Sequence, residues 1–158
     1  MKTNAARILD GLHIPYELRD YDPGDEHLTA AEVAARVSLP PEQVWKTLVV
    51  RGDKHGVALA VVAATSELDL KALAKLTGDR KIEPVGLKEV TPLTGYVRGG
   101  VTALACKRDY PVWIDETMTR YDRVAVSAGV RGTQMVLAPA DYLRATKGRT
   151  GTIARLLG

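Results

Sequence analysis

Hydrophobic residues crowd the middle of this chain in a way that polar punctuation resolves into two strands. Val57-Ala-Leu-Ala-Val-Val-Ala-Ala64 carries no polar side chain, and Thr47 to Val50 precedes it across the polar segment Arg51-Gly-Asp-Lys-His-Gly56. A run this continuous exceeds what a strand wetted on one face carries, so the pattern predicts a hairpin in a sheet covered on both faces. Lys46 sits at the mouth of the first of these strands, in Gln43-Val-Trp-Lys-Thr-Leu-Val-Val50. Desolvation disfavours an ammonium, so this lysine either faces a cleft that holds water and anions or snorkels to the surface at a strand end.

Elsewhere the polar punctuation predicts helices between strands. Asn4 is placed to cap a short amphipathic helix carrying Ile8, Leu9 and Leu12 on one side, with Gly11 near its end. A strand over 16–20 follows Pro15, and Asp22-Pro-Gly24 reads as a loop. Thr29-Ala-Ala-Glu32 and Ser66-Glu-Leu-Asp69 both have the spacing of a capping box. The first predicts a helix to about Val37, before Pro40-Pro41. The second predicts a helix with Leu70, Leu73 and Ala74 inward, Lys71 and Lys75 outward, and Gly78 as its C-cap. Further strands are expected at 81–83, 112–115, 123–127 and 134–138, with a helical turn at 87–90 and a closing helix opened by Pro139. The hairpin makes at least one strand pair antiparallel and the strands outnumber a strict βα alternation, so the fold class is α+β: a mixed, mostly antiparallel sheet with flanking helices.

A chain of 158 residues suits one domain, residues 1–158. No segment approaches the roughly 20 apolar residues of a membrane span. The N-terminal segment has no continuous hydrophobic core and the single cysteine has no internal partner, which together favour the cytoplasm. The net charge of +3 hides an uneven distribution: residues 20–32 hold five acids and no Lys or Arg, whereas 142–158 hold Arg144, Lys147, Arg149 and Arg155 and no acid. That basic stretch is either a weak footprint for a polyanion such as RNA or an ordinary solvated face.

Several chemistries lack support. His13, His27 and His55 are far apart and have no partners at metal-ligand spacing, so no metal and no cofactor is expected. No Walker segment exists, and Gly95 to Gly100 does not fit the dinucleotide fingerprint. Around Ser127 the first glycine of a nucleophile elbow is missing and no histidine follows, which removes a serine triad. Cys106 has basic neighbours that would lower its pKa, but an incidental thiol fits as well. Two glycine turns remain, Gly99-Gly100 and Ser127-Ala-Gly129, each near a strand end. They are either tight turns needing positive φ or places where backbone N–H groups meet a carbonyl oxygen gaining charge. Backbone donors plus one lysine, without a nucleophile, suit hydrolysis of an already activated ester.

In their order and spacing, Tyr21-Asp-Pro23, Glu42 to Val50, Leu68-Asp-Leu-Lys71, Thr94-Gly-Tyr-Val-Arg-Gly-Gly-Val-Thr102, Val112-Trp-Ile-Asp115, Val126-Ser-Ala-Gly129 and Arg131-Gly132 resemble the YbaK/ProX aminoacyl-tRNA deacylases. These are relatives of the editing domain of bacterial prolyl-tRNA synthetase. The resemblance spans nearly the whole chain and implies their mixed-sheet fold. It also implies a pocket for the aminoacyl-adenosine end of a mischarged tRNA, whose ester is cleaved. Lys46 falls on the family's principal functional lysine, orienting the substrate and offsetting negative charge. Gly99 and Gly100 would present backbone to the aminoacyl group, and Tyr21, Thr102, Ser127 and Gly129 carry over as pocket residues. Arg98, Lys107 and Arg108 are the expected tRNA contacts.

The implied activity is trans-editing, foremost of Cys-tRNA(Pro), with the substrate's own thiol assisting attack. Deacylation of another small aminoacyl-tRNA such as Ala-tRNA(Pro), or a non-catalytic module docking on tRNA or a synthetase, are the alternatives. Mischarged tRNA and prolyl-tRNA synthetase are the implied partners, with no DNA and no membrane. Two departures bear on specificity: the cysteine-specific branch commonly reads Gly-Gly-Ile-Ser-Pro-Leu-Gly where this chain has Gly99-Gly-Val-Thr-Ala-Leu-Ala105, and its acid after Arg-Gly is replaced by Gln134.

Overall fold

A computed structural model of the chain describes residues 2–25 and 28–157; His27 lies outside them. The first helix, α1 (Asn4–Gly11), is capped by Thr3, whose side chain accepts a hydrogen bond from Ala6 N at 3.2 Å. Asn4 is therefore the first helical residue rather than its cap. Strand β1 (Glu17–Asp20) leads to α2 (Ala30–Val37), where Thr29 and Glu32 close the expected capping box. Strands β2 (Trp45–Gly52) and β3 (Gly56–Ala63) form the hairpin, pairing in register from Trp45 opposite Ala63 to Gly52 opposite Gly56.

The next segment departs from its sequence signal. Ser66 does not cap a helix; it opens β4 (Ser66–Leu68), and Asp69 caps α3 (Leu70–Thr77) by accepting from Ala72 N at 3.0 Å. Asp69 competes for the same helix start, and its β-region backbone lets the strand run up to the cap. Gly78 ends α3 in the left-handed conformation, as expected. After β5 (Ile82–Pro84), α4 (Leu87–Thr94) continues past the predicted turn. Pro92 lies inside this helix, and Thr94 Oγ1 donates to Val90 O at 2.8 Å in the turn that contains it.

The remaining elements are β6 (Val112–Asp115), β7 (Val124–Ser127), β8 (Thr133–Leu137), α5 (Pro139–Thr146), β9 (Arg149–Gly151) and β10 (Ala154–Leu156). The last two strands carry little hydrophobic pattern because they are short and mostly solvent-facing. Three sheets result, in the orders β5-β2-β3-β6-β9, β1-β8-β7 and β10-β4. Only the β3–β6 and β6–β9 pairs in these sheets are parallel, so the α+β, mostly antiparallel reading holds.

Side chains alternate across β3, as strand geometry requires. Leu59, Val61 and Ala63 enter a core shared with α1, β6, β7, β8 and α5, while Ala58, Ala60 and Val62 enter a second core against α3. The central strand is thus buried on both faces, which accounts for its unbroken apolar run. A third cluster packs α2 on the outer face of the β1-β8-β7 sheet, through Ala34, Val37, Ala125 and Val136. No helix among the described residues is long and apolar enough to cross a membrane.

One buried acid ties the C-terminal strands to the sheet. Asp115 is 3% exposed; its Oδ1 accepts from Ile153 N and Ala154 N, both at 3.0 Å. Its Oδ2 accepts from Thr117 N at 3.1 Å and Thr117 Oγ1 at 2.6 Å. Removing it leaves one buried and three part-buried donors unpaired at once, so Asp115→Ala should lower unfolding free energy by about 3 kcal/mol, read from urea denaturation. Ala105 holds a left-handed φ of 57°, where a Cβ is strained. Ala105→Gly should raise stability by about 0.5–1 kcal/mol in the same assay.

Candidate active site

The strand that carries Lys46 is paired unequally on its two edges. β3 accompanies β2 over its whole length, but β5 pairs only with Val50 to Gly52. The Val85 N–H reaches the Val49 carbonyl at 3.0 Å, and a single parallel bridge joins Val44 to Ala125 of β7. Between these two supports the edge of β2 borders a cavity of about 630 Å³, within the range of small-molecule sites. Lys46, Tyr21, Arg98, Gly99, Ser127 and Arg131 all line it.

Alternation along β2 puts Lys46 on the face shared by Leu48 and Val50, opposite Trp45 and Val49. The lysine is half-buried, and burial pulls its pKa below the ordinary lysine value. Glu67 opposes that shift, and its carboxylate also meets Arg155 at 2.7 Å. Lys46 is in no ion pair among the described residues. A cation in an apolar-walled cavity without its own counter-ion is poised for an anionic or electron-rich ligand group.

The Gly99 turn is braced from beneath. Tyr96 donates its hydroxyl to Leu104 O and its backbone N–H to Thr94 Oγ1 at 3.0 Å, while Thr91 Oγ1 donates to Tyr96 O at 2.8 Å. Burial pushes the Tyr96 phenol up to about 12, so it stays a donor at any ordinary pH. The two glycine turns pack on one another: a Cβ on Gly100 would lie 3.2 Å from the Val130 and Arg131 backbone, and one on Gly129 would lie 3.0 Å from Tyr96 Cε1. Gly99 itself holds φ 88° beside the Arg131 side chain, a close approach and a conformation that both favour glycine.

The expected site residues separate into two groups. Lys46, Tyr21, Gly99, Ser127 and Arg98 meet in the cavity, whereas Gly100, Thr102 and Gly129 do not line it. Gly100 is buried and spends its N–H on Val97 O at 2.9 Å. Gly129 donates to Ser127 Oγ at 3.1 Å, fixing that hydroxyl as an acceptor within its own turn. Thr102 is fully buried beside Tyr142, and neither hydroxyl makes a well-formed hydrogen bond. Lys107 covers Gly95, and Arg108 lines a separate cavity. Cys106 donates to Thr102 O at 3.4 Å, and burial raises its thiol to about 11, opposite to the lowering its basic neighbours suggested.

Arg131 was legible only as part of an Arg-Gly pair, yet it ties the site together. Its aliphatic stem packs against Gly99 and its guanidinium donates to the carbonyls of Pro23 and Gly24, both at 3.3 Å. The loop after Tyr21 and the glycine turn are thereby clamped to one side chain. Gln134, opposite Ser127 across the β7–β8 pair, also lines the cavity; it is 6% exposed and its Oε1 is unpartnered.

Comparison with known proteins bears on the family and the fold. The sequence profile of the aminoacyl-tRNA editing domain family matches residues 25–145. An Enterococcus faecalis protein, EbsC, proposed to be a Cys-tRNA(Pro)/Cys-tRNA(Cys) deacylase, is 38% identical over 152 residues, covering 96% of this chain and 93% of its own. The multifunctional Ser/Thr-tRNA deacylase ProXp-y of Escherichia coli is 32% identical over 103 residues, 63% of this chain and 62% of its own. A crystal structure of a protein proposed to be a trans-editing enzyme for prolyl-tRNA synthetase superposes with a TM-score of 0.83 at 25% identity, covering 98% and 99% of the two chains.

The half-buried ammonium has a stability signature. Its folded pKa lies below 10.5, so between the two values the unfolded chain binds more protons and stability rises with pH. The buried Cys106, Tyr96 and Tyr142, whose pKa values are raised, pull the other way over the same range, so the lysine's share is read as a difference between two proteins. Lys46→Met should have the higher urea midpoint at neutral pH, and its advantage over the wild type should shrink as pH approaches 10.5.

Proposed function

Because this chain belongs to the aminoacyl-tRNA editing domain family, we propose that it is a trans-editing hydrolase that cleaves the ester of mischarged aminoacyl-tRNA, with Lys46 as its principal functional side chain. The observation that carries the reading is the meeting of Lys46, Gly99 and Ser127 in one cavity, without a competent protein nucleophile among the described residues. Cys106 is a neutral thiol at physiological pH, and Ser127 lies next to no histidine in the sequence.

The ester linking an amino acid to ribose is already activated, so the protein need only position it and stabilise charge. On this reading the aminoacyl carbonyl sits against β2, and either water or the substrate's own side chain attacks it. Negative charge then grows on the carbonyl oxygen. The Lys46 ammonium offsets that charge in a low-dielectric cavity, and the exposed backbone of Gly99 offers an N–H on the same side. Tyr21 and Arg131 enclose the aminoacyl group, and Arg98 meets the RNA at the mouth. Residues 1–158 act as one deacylase unit, in the cytoplasm where charged tRNA is used. Prolyl-tRNA synthetase serves as the partner that supplies tRNA identity, which a cavity of this size does not read.

For the amino acid we infer cysteine carried by the proline tRNA, in keeping with EbsC. One observation favours a second, broader reading. Gln134 puts a neutral, buried carbonyl acceptor at the cavity wall, which suits a small side chain with a hydroxyl as well as one with a thiol. ProXp-y, named for seryl and threonyl substrates, is a relative. Discrimination by one methylene is worth only about 1–3 kcal/mol, so a pocket of this kind sorts by class more than by single residue.

A panel of cysteinyl-, alanyl-, seryl-, threonyl- and prolyl-tRNA(Pro) tests both readings. Cysteinyl-tRNA should be cleaved fastest and prolyl-tRNA spared. Lys46→Ala should lose about 10²–10³-fold in rate while its circular dichroism and its affinity for deacylated tRNA stay at wild-type values. Wild-type rates from that variant would remove Lys46 from the mechanism, and a wild type inert on the whole panel would leave a non-catalytic tRNA-binding module.

A further inference from the structure

A second concavity of about 450 Å³ opens beside the β3–β6 pair. Val49 lines the first cavity and its cross-strand partner Leu59 lines the second. Along the chain, Val101 belongs to the first and Ala103 to the second, with buried Thr102 between them. Two residues span at most roughly 7 Å of chain, so at that point the wall between the cavities is one residue thick.

Charge distinguishes this second cavity. Arg108, Lys147 and Arg149 line it, with Asp109 as its single acid, and none of the three cations is in an ion pair among the described residues. They arrive from separate places, the loop before β6 and the junction of α5 with β9. Arg149 pairs in register with Trp113 and holds its guanidinium 5.9 Å from the indole centroid, which limits where that charge can go. Against the one acid they leave the lining with an excess of positive charge, which favours the entry of an anion.

Backbone strain marks the same place. Four non-glycine residues among those described hold positive φ, and two of them, Ala105 at 57° and Lys147 at 56°, line this cavity. Such residues are strained and gather at ligand sites more than elsewhere. Lys147 ends α5 in this conformation, and its strained turn sets the direction in which Gly148 and Arg149 leave the helix.

We propose that this second cavity is a phosphate-backbone site for the RNA of the aminoacyl-tRNA substrate, holding the strand just upstream of the nucleotide whose ester enters the first cavity. The proposal rests on the deacylase reading for the identity of the polyanion, and it adds where the RNA is held and by which residues. Lys147 and Arg149, together with Arg108, neutralise phosphates there; Trp113 keeps the Arg149 fork in place. The first cavity then receives a substrate already tethered by its backbone, which serves affinity and positioning rather than bond cleavage.

The test uses Lys147→Gly, which keeps the left-handed turn, combined with Arg149→Gln, and takes Lys54→Gln on the exposed hairpin turn as a control for the loss of a cation elsewhere on the surface, compared per charge removed. Binding of deacylated tRNA is measured across a salt series, and cleavage of a reactive aminoacyl-tRNA(Pro) in parallel. The double variant should bind at least about fivefold more weakly with a salt slope shallower by about 0.7–0.9 per cation removed. Its KM should rise while kcat holds, and cleavage of an aminoacyl-adenosine, which has no backbone to hold, should keep its rate. Lys54→Gln should match the wild type. If the double variant does not fold, Arg108→Gln, in an exposed loop, takes its place with the same readouts. Unchanged affinity and slope in the folded variant, or an equal loss from Lys54→Gln, overturns the proposal. Because tRNA binding is read without turnover, a wild type that binds tRNA through these cations yet cleaves nothing would overturn the deacylase reading alone.

Discussion

The site depends on an incomplete edge. β2 is hydrogen-bonded along its length to β3, yet its other edge is covered by β5 for only three residues. A fully paired strand would bury its polar backbone and leave no room beside it. A fully open one would invite another chain to pair with it. Support at both ends, by Val85 and by the Val44–Ala125 bridge, keeps the strand rigid while a cavity forms along the gap. Lys46 stands in that gap, carried by a strand whose position is fixed by two cores.

Rigidity around the gap comes from short polar ties more than from the sheet itself. The loop after α4 is tied to itself by Tyr96, Thr91 and Thr94, and Arg131 joins it to the loop after β1. Loops held in this way lose little entropy on binding a ligand, so more of the contact energy is available for binding and positioning. The cost is borne in strain and in unpartnered polar atoms. Trp45 Nε1, Thr102 Oγ1, Gln134 Oε1 and Tyr142 OH are buried without partners among the described residues, and two of these residues, Trp45 and Gln134, line the cavity. Burial without a firm partner holds the Tyr142 phenol above its ordinary pKa, so it remains a neutral part of the wall.

Legibility in the sequence followed pattern length. The long apolar run of β3 and the capping box at Thr29 left strong periodic or positional signals, and both elements stand where those signals put them. β9 and β10 are three residues each and largely exposed, so no periodicity could announce them. They are held by Asp115 and by register with β6 and β4, a tertiary constraint with no local trace. Ser66 misled for a related reason: two residues able to cap lay three apart, and only the tertiary pairing of Ser66 to Leu68 with β10 decided between them.

The candidate site was legible as residue types and less so as directions. Spacing alone put both glycine turns near strand ends, but it could not say which atoms face the cavity. Gly99 does, whereas Gly100 and Gly129 spend their N–H groups inside the turns and bring the two loops into contact. A glycine needed for close packing and one needed for ligand approach are indistinguishable in sequence, since both answer to the absence of a Cβ. Arg131 was obscured for the converse reason: a long, charged side chain beside a glycine reads as a surface turn, and only the fold brings its stem against Gly99 and its guanidinium to Pro23 and Gly24. Because one arginine serves both loops, removing it would loosen two walls of the cavity together, and Lys46 would keep its strand while losing the enclosure that makes its charge effective.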